Sequence, residues 1–305
     1  MRGMESDLSR VEALVGEVTS LPTLPEVLGR LNRLLDDPDA KIGDVADAVL
    51  RDQALTANVL RLVNSSFFAR HRQVVNLREA IVFLGFRTLR NLVTTTALMR
   101  CLPWRHKLLH PRRFWEHSLA TAIVARQIAE NLDYTDTESA YLGGLVHDLG
   151  LVLMSQFLPE AMAVIVRRIV EEHVSLEEAE RDVLGVGHTA FGAWLGKHWA
   201  FPQELIDVMY YHEDPIESTP NAHLVALVSV ADTFCLSAGL GCGLTGYWSR
   251  VIEEAPSWKI LKGAFPVLAR TDWARFRMDL ESQSDEIRDL VETMFEPQNE
   301  EVLAW

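Results

Sequence analysis

Histidine and aspartate residues recur between positions 117 and 232 in a pattern that could bind metal ions. The candidates are His117, His147, Asp148, His188, His212 and Asp232. Imidazole nitrogen combined with carboxylate oxygen is a donor set that suits iron, manganese or zinc better than magnesium or calcium. If these side chains meet in the fold, the sequence predicts one or two divalent ions of Fe, Mn or Zn bound between them.

Two of the candidates lie in helical patterns that would bury them. His117 shares a helix face with Val124 and Ile128, and Asp232 lies in the apolar run LVALVSVADTFC. A buried carboxylate costs free energy unless a cation or hydrogen bonds compensate it. A single inward histidine is usually an ordinary hydrogen-bonded core residue, so it is the set of six that favours a shared metal site.

The adjacent pair His147 and Asp148 closes the segment AYLGGLVHDLG. Gly143 and Gly144 in this segment would each cost an isolated helix about 1 kcal/mol relative to alanine. We therefore expect another helix to approach closely at these glycines. The alternative for His147 is a helix C-terminus at which the ring interacts with the helix dipole.

The remaining histidines each belong to a separate predicted helix. His188 begins GHTAFGAWLGKHW, and Gly192, one turn later, leaves space beside it. His212 follows a helix that Pro202 opens. Helical bundles commonly hold metal sites built from side chains of several helices, and the six candidates lie on at least four.

Helical periodicity continues along the chain, with no convincing strand-like alternation. Thr23 and Pro25 predict a helix start, and Gly85 a helix end. The Val- and Ile-rich segment 161–170 could be mistaken for a strand, but the proline before it and the glutamates after it favour a helix. The predicted fold class is all-α, a two-lobed helical bundle.

Two stretches predict boundaries between parts of the chain, one at Pro103-Trp104 and the other, rich in glycine, at 239–246. They divide it into an N-terminal helical leader (1–20), an N-terminal lobe (21–105), a histidine-bearing lobe (106–238) and a helical extension (239–305). The extension contains Trp248, Trp258 and Trp273. Such large apolar groups predict that it packs on the histidine-bearing lobe.

Composition excludes several classes of protein. A net charge of −14 over 305 residues argues against non-specific nucleic-acid binding, which depends on phosphate neutralisation. No apolar run reaches the roughly 18 residues of a membrane span, and the charged start MRGMESDLSR is not a signal peptide. Three cysteines without a CxxC pair suit a reducing compartment. We expect a cytoplasmic protein without a membrane partner.

One basic stretch, 100–113, departs from the acidic average. The favoured interpretation is a solvated connecting loop, since a charge run without a motif is weak evidence. The alternative is a rim that attracts anions beside the histidine cluster. Its charged and imidazole residues include Arg105, His106, Lys107, His110 and Arg112.

The order of these motifs resembles the HD superfamily of metal-dependent phosphohydrolases, and more closely the HDOD domain, the HD-related output domain of bacterial signalling proteins. The matching segments run from Leu21 to Pro215 and are LPTLPEVLGRL, ALTANVLRLVNSSFF, NLREAIVFLGFRTLRNLV, FWEHS, GLVHDLG, GHTAFGAWLGKHW and YYHEDP. The resemblance implies an all-helical fold in which 21–105 form the N-terminal lobe and 106–238 an HD-like metal-binding lobe.

The sequence also departs from the active relatives. The related HD-GYP phosphodiesterases carry a lysine after HDIG and a Gly-Tyr-Pro motif, whereas Leu151 takes the lysine position here and no such motif follows His212. Glu213 stands where the family often has a second histidine. It is a further candidate ligand, since it can reach a metal with an oxygen.

The resemblance leaves two functions open. The first is a regulatory HDOD module that responds to a metal or small nucleotide ligand, or binds signalling proteins, without turnover. The alternative is a phosphohydrolase acting on a nucleotide or cyclic dinucleotide, in which His147 and Asp148 would position metals that activate water. The missing lysine favours the first. A purely structural scaffold would leave Asp232 unexplained.

Overall fold

The computed structural model describes residues 2–16, 42–68, 73–102, 104–106, 108–215, 220–244 and 252–295. Regular structure in these ranges is helical, and no strand occurs in them. The predicted all-α fold is therefore confirmed. The helix start predicted at Thr23 and Pro25 lies outside the described residues.

The helices are numbered here in chain order. They are α1 (Arg2–Val15), α2 (Ile42–Leu50), α3 (Gln53–Val63), α4 (Leu77–Leu84), α5 (Phe86–Cys101), α6 (Pro111–Asn131), α7 (Thr137–Val146), α8 (Leu149–Phe157), α9 (Pro159–Glu172), α10 (Leu176–Leu184), α11 (His188–His198), α12 (Gln203–Tyr211), α13 (Ala222–Ser237), α14 (Pro256–Ala264) and α15 (Trp273–Phe295). Short 3₁₀ turns occur at Ser66–Phe68, Ile252–Glu254 and Pro266–Arg270.

The chain divides into two compact units, a smaller one of residues 22–103 and 285–305 and a larger one of residues 1–21 and 104–284. In the smaller unit, side chains preceding two helices cap them. Asp52 accepts a hydrogen bond from the Leu55 N–H at the start of α3. The Asn76 side chain accepts a hydrogen bond from the Glu79 N–H at the start of α4. Gly85 ends α4 with a φ of 78°, as the sequence predicts.

Two long helices, α6 and α13, form the centre of the larger unit, and most of their side chains are buried. Helix α7 packs on both. A Cβ added at Gly144 would lie 2.7 Å from the backbone nitrogen of Ala122, and one at Gly143 would lie 3.1 Å from the Val228 side chain. The predicted close approach of helices at these two glycines is confirmed.

A glycine also allows close helix contact where α8 meets α11. A Cβ at Gly150 would collide with the carbonyl oxygen of His188, so glycine is required for these backbones to come together. This contact brings the beginning of α11 next to the link between α7 and α8. The segment 161–170 lies within helix α9, as its flanking residues predict.

Helix α1 packs on α11 and α12. Met4 and Leu8 are buried with Ala193 and Ile206. The hydroxyl of Tyr210 donates a 2.6 Å hydrogen bond to Asp7. The described part of the predicted leader is therefore integrated into the larger unit.

The two compact units divide the helical extension. Helix α14 packs on α13, and the Trp273 ring stacks on Phe234 with centroids 5.6 Å apart. From residue 285 onward the chain belongs to the smaller unit, whereas the sequence assigned the whole extension to the histidine-bearing lobe. The apolar stripe that includes Ile287 and Val291 is fully buried, which explains why this part of α15 is not a free tail.

No single helix in the described ranges is long and apolar enough to cross a membrane. One bent combination passes that test by length and composition, namely Thr137–Phe157 with Pro159–Glu172, whose directions differ by 115°.

Candidate metal centre

The six sequence-predicted ligands come from five places in the larger unit, and all six are buried. His117 lies within α6, and Asp232 within α13. His147 and Asp148 form the link between α7 and α8, His188 is the first residue of α11, and His212 directly follows α12. Three of these positions are helix ends, where a side chain can turn into the interior between packed helices.

Each histidine ring is oriented by an acceptor at its Nδ1 atom. The four pairs are His117 with the Leu240 carbonyl (2.8 Å), His147 with the Gly144 carbonyl (2.8 Å), His188 with the Glu180 carboxylate (2.9 Å) and His212 with the Val208 carbonyl (3.1 Å). Because these oxygens only accept, each Nδ1 carries the proton. A neutral ring then presents the lone pair of Nε2, which is the form that binds metal.

The four Nε2 atoms converge in two pairs. Those of His117 and His147 lie 3.2 Å apart, and those of His188 and His212 lie 3.4 Å apart. Two lone-pair acceptors at this distance have no hydrogen between them and repel each other. A cation between them, either a metal ion or an added proton, removes that repulsion.

Asp148 lies between the two histidine pairs and faces each with a different oxygen. Its Oδ2 atom is 3.5 Å from His117 Nε2 and 3.4 Å from His147 Nε2. Its Oδ1 atom is 3.4 Å from His188 Nε2 and 3.3 Å from His212 Nε2. Ligand atoms bound at about 2.1 Å to one ion are separated by roughly 3.0–3.4 Å, depending on geometry. This spacing would allow Asp148 to offer one carboxylate oxygen to a metal ion held at each histidine pair.

These contacts define two groups of ligand atoms, named here subsite 1 and subsite 2. Subsite 1 consists of His117, His147 and Asp148, and subsite 2 of Asp148, His188 and His212.

Asp232 completes the surroundings of subsite 1. Its Oδ1 atom lies 3.2 Å from His117 Nε2 and 3.9 Å from His147 Nε2. That oxygen is buried, and while the His117 ring is neutral it has no hydrogen-bond donor among the described residues. A buried acceptor without a donor is costly, and a metal ion in subsite 1 would satisfy it.

The electrostatics of the cluster favour bound positive charge. Burial alone would lower the pKa of His117 and His188, but carboxylates raise it well above the ordinary value in both rings: Asp148 and Asp232 for His117, Glu180 and Asp148 for His188. Burial would raise the pKa of Asp148, yet the neighbouring histidines hold it well below its usual range. Without metal, protons would take the place of the cations.

Glu213, the further candidate ligand, belongs to neither subsite. It is partly buried, and this burial together with the charge of Asp232 raises its pKa to about 7, against the opposing effect of His212. Glu213 as a ligand stays a prediction.

Leu151, at the position of the lysine in active relatives, is fully buried in α8. The basic stretch beside this helix is anchored through its backbone, since the Gln156 side-chain oxygen accepts the N–H groups of Arg105 and His106. The Arg105 and His106 side chains are exposed, whereas those of His110 and Arg112 are partly buried, and Arg112 lies in the first turn of α6. Lys107 lies outside the described residues.

Sequence reasoning missed Glu180, whose carboxylate contacts the His188 ring. It lies in α10, LEEAERDVL, among acidic residues that are exposed or partly buried. Nothing in its spacing distinguishes it from those neighbours. Its buried position depends on how α10 packs beside the start of α11, which a local pattern does not encode.

The sequence matches the HDOD domain family model over residues 21–215. The chain is also 25% identical over 227 residues to an uncharacterized protein from Treponema pallidum (strain Nichols). That match covers 73% of this chain and 44% of the relative, so the chain spans less than half of the relative's length.

The solved structures that share the fold include the following two. An HDOD domain protein of unknown function from Geobacter sulfurreducens is 31% identical, with a TM-score of 0.82 over 95% of this chain and 99% of that one. A protein from Shewanella amazonensis SB2B, provisionally named a phosphohydrolase, is 23% identical, with a TM-score of 0.72 over 92% and 98% of the two chains. The second likeness concerns the fold alone.

Proposed function

This chain belongs to the HDOD domain family, and we propose that it is a regulatory signalling module whose HD-type centre binds one or two ions of iron, manganese or zinc. In this proposal, metal or a small nucleotide ligand sets the state of the module, and signalling proteins recognise that state. The module acts in the cytoplasm and does not depend on turnover.

The observation that carries the metal proposal is the convergence of four Nε2 atoms on the two oxygens of Asp148. Each Nδ1 atom faces an acceptor, so each neutral Nε2 atom meets the Asp148 oxygens as one acceptor meets another, and a cation would satisfy both. His117, His147, Asp148 and Asp232 would hold one ion. Asp148, His188 and His212 would hold the other.

Three features support regulation rather than hydrolysis. The Asp148 and Asp232 residues are 6% and 8% exposed, which leaves little access for a phosphate group. Structural metal sites are closed by protein ligands, and subsite 1 with Asp232 offers four of them. The buried Leu151 side chain also cannot form the ion pair with phosphate that a lysine would provide.

One observation favours the alternative, a metal-dependent phosphohydrolase. Subsite 2 offers three protein ligands, the number at which catalytic sites commonly keep a position open for water or substrate. Ions held by Asp148 and the neighbouring histidines would supply Lewis-acid chemistry for activating that water and for stabilising charge on the phosphate. His147 and Asp148 would then act in catalysis by positioning the ions.

Metal content and turnover, measured on the same sample, test the proposal. Chelator-stripped protein is loaded with Mn²⁺, Fe²⁺ or Zn²⁺, dialysed, and assayed for ions per chain and for hydrolysis of a cyclic dinucleotide. We expect at least one ion per chain and turnover below about 1 per second. Faster turnover that disappears in Asp148→Ala would establish the enzyme instead, and a chain that takes up no ion would contradict both functions.

A further inference from the structure

Glu180 is a fully buried carboxylate that lies outside the two groups of ligand atoms. Among the described residues, its hydrogen bonds go to one partner, His188. Oε2 accepts the backbone N–H of His188 at 2.9 Å, and both carboxylate oxygens lie 2.9–3.0 Å from the Nδ1 atom of that ring. A buried charge is costly unless it is paired, so this placement requires a compensating partner, and the His188 ring is in position to be that partner.

The chain makes room for this carboxylate at the start of α11. A Cβ at Gly187 would lie 3.1 Å from Glu180 Oε2, closer than ordinary contacts. Gly187 also has no side chain with which to cap α11. The carboxylate of Glu180 takes over that role for the first N–H of the helix, and at the same time it fixes the ring of His188.

Glu180 makes the four histidines unequal. The Nδ1 atoms of His117, His147 and His212 face neutral backbone carbonyls, whereas His188 faces a charged carboxylate. A carboxylate at the outer nitrogen holds a metal-binding imidazole in one orientation and makes its inner nitrogen more basic. Because His188 belongs to subsite 2, this effect is directed at one of the two subsites.

We propose that Glu180 is a positioning residue that sets the metal affinity of subsite 2 through His188. This inference rests on the proposed metal binding. Removing the carboxylate charge weakens the ion in subsite 2 by about 10–100-fold, the range typical of such outer partners. The ion in subsite 1 is unaffected, because its ligands His117 and His147 do not contact Glu180.

The test is a titration of metal-stripped, full-length protein with Mn²⁺, followed by calorimetry and by electron paramagnetic resonance. The variant is Glu180→Gln, which keeps the size of the side chain and one acceptor. We expect the parent to bind two ions with the spectrum of a coupled pair. The variant should bind the first ion as the parent does and the second about 10–100-fold more weakly, with the spectrum of an isolated ion at equal loading.

Asp207→Asn is the matched control. Asp207 is also a buried carboxylate of the larger unit, but it bonds to Gln203 and Asn221 rather than to a histidine. The Asp207→Asn variant should therefore bind metal at subsite 1 and subsite 2 with the affinities of the parent. If Glu180→Gln does not fold, Glu180→Asp replaces it. Aspartate keeps a carboxylate but withdraws it from His188 by one methylene, so we expect the same loss of metal affinity at subsite 2.

Three results would overturn the role of Glu180. In a purely structural role it would only cap α11, and Glu180→Gln would lower the melting temperature with and without metal but leave both affinities equal to the parent. An equal loss at both subsites would also count against it. A parent that binds no Mn²⁺ under any loading would contradict the proposed metal binding and, with it, this inference.

Discussion

At the scale of residues, the centre is defined by which atoms face inward. Four imidazole Nε2 atoms and the oxygens of Asp148 and Asp232 meet, and the hydrogen-bond donors of the rings face outward. Such an arrangement of acceptors is unfavourable without positive charge. Substitutions here therefore report on cation binding more directly than on packing.

Replacing Asp148 by alanine removes the ligand that both subsites share. We expect bound metal to fall at both subsites and the melting temperature of metal-loaded protein to fall with it. At a free metal concentration 100-fold above the dissociation constant, one bound ion stabilises the folded state by about 2.7 kcal/mol, and the variant loses this stabilisation. Elemental analysis and thermal melting measure the two effects.

His173→Asn is the control for this variant. His173 is exposed and has a left-handed φ of 58° after α9, a conformation that asparagine tolerates. It should change neither metal content nor melting temperature. Full metal retention in Asp148→Ala would show that the cluster is not a binding site.

The pH dependence of stability should reverse when metal is removed. In metal-free protein the pKa values of His117, His188 and His212 lie above their unfolded value, so their stabilisation is present below about pH 6.5 and is lost as pH rises through the raised values. In loaded protein, protons compete with metal, so stability is lost as pH falls. Thermal melting across about pH 6 to 9, with chelator or with metal, compares the two; parallel trends would contradict this account.

At the scale of elements, glycines decide how closely the ligand-bearing helices approach. Gly144 brings α7 onto α6, and Gly150 brings α8 onto α11. The link carrying His147 and Asp148 lies between these two contacts. The position of the metal ligands therefore depends on backbone packing around them as well as on their own side chains.

Gly150→Ala should separate α8 from α11, because the added methyl would collide with the backbone at His188. We expect destabilisation of at least the about 1–3 kcal/mol typical of overpacking, together with weaker metal binding. Gly263→Ala, on an exposed part of α14 with nothing within 4 Å, should be neutral or stabilising by up to about 1 kcal/mol. Denaturant unfolding of both variants measures this, and equal stabilities would be incompatible with the packing described.

Sequence reasoning succeeds where the cause is local. Helical period predicts α9 over the Val- and Ile-rich segment, Gly85 ends α4, and the glycines before His147 predict helix contacts. It fails for Glu180, because α10 must first pack beside α11 for that residue to differ from its acidic neighbours. The division of α15 at residue 285 likewise depends on tertiary packing rather than on local pattern.

At the scale of the whole molecule, the larger unit contains all six candidate ligands together with α1, α14 and the first half of α15. Aromatic contacts hold α14 and the first half of α15 on the rest of the larger unit. Trp273 contacts Phe234 and Trp258, with centroids 5.6 and 5.0 Å apart. The segment 252–284 should therefore unfold together with the rest of the larger unit and not separately.

Limited trypsin digestion checks this expectation at Lys259 and Lys262, which are exposed on α14. In the parent, cleavage there should be slow, because a helix must open before a protease can cut it. Trp273→Ala should accelerate it about tenfold or more, corresponding to a loss of at least about 1.4 kcal/mol. Met278→Ala should not accelerate the cleavage, because the Met278 side chain is 68% exposed. Rapid cleavage in the parent would mean that the segment is not held by the lobe.

The central claim is that the histidine and aspartate cluster binds metal, and anomalous X-ray scattering from crystals of metal-loaded protein tests it most directly. At the absorption edge of the bound metal, we predict a peak about 2.0–2.3 Å from the Nε2 atoms of His117 and His147 and from Asp148. At full loading a second peak should lie on the other side of Asp148, at His188 and His212. A map without a peak in the cluster, or with peaks only elsewhere on the chain, would contradict the account.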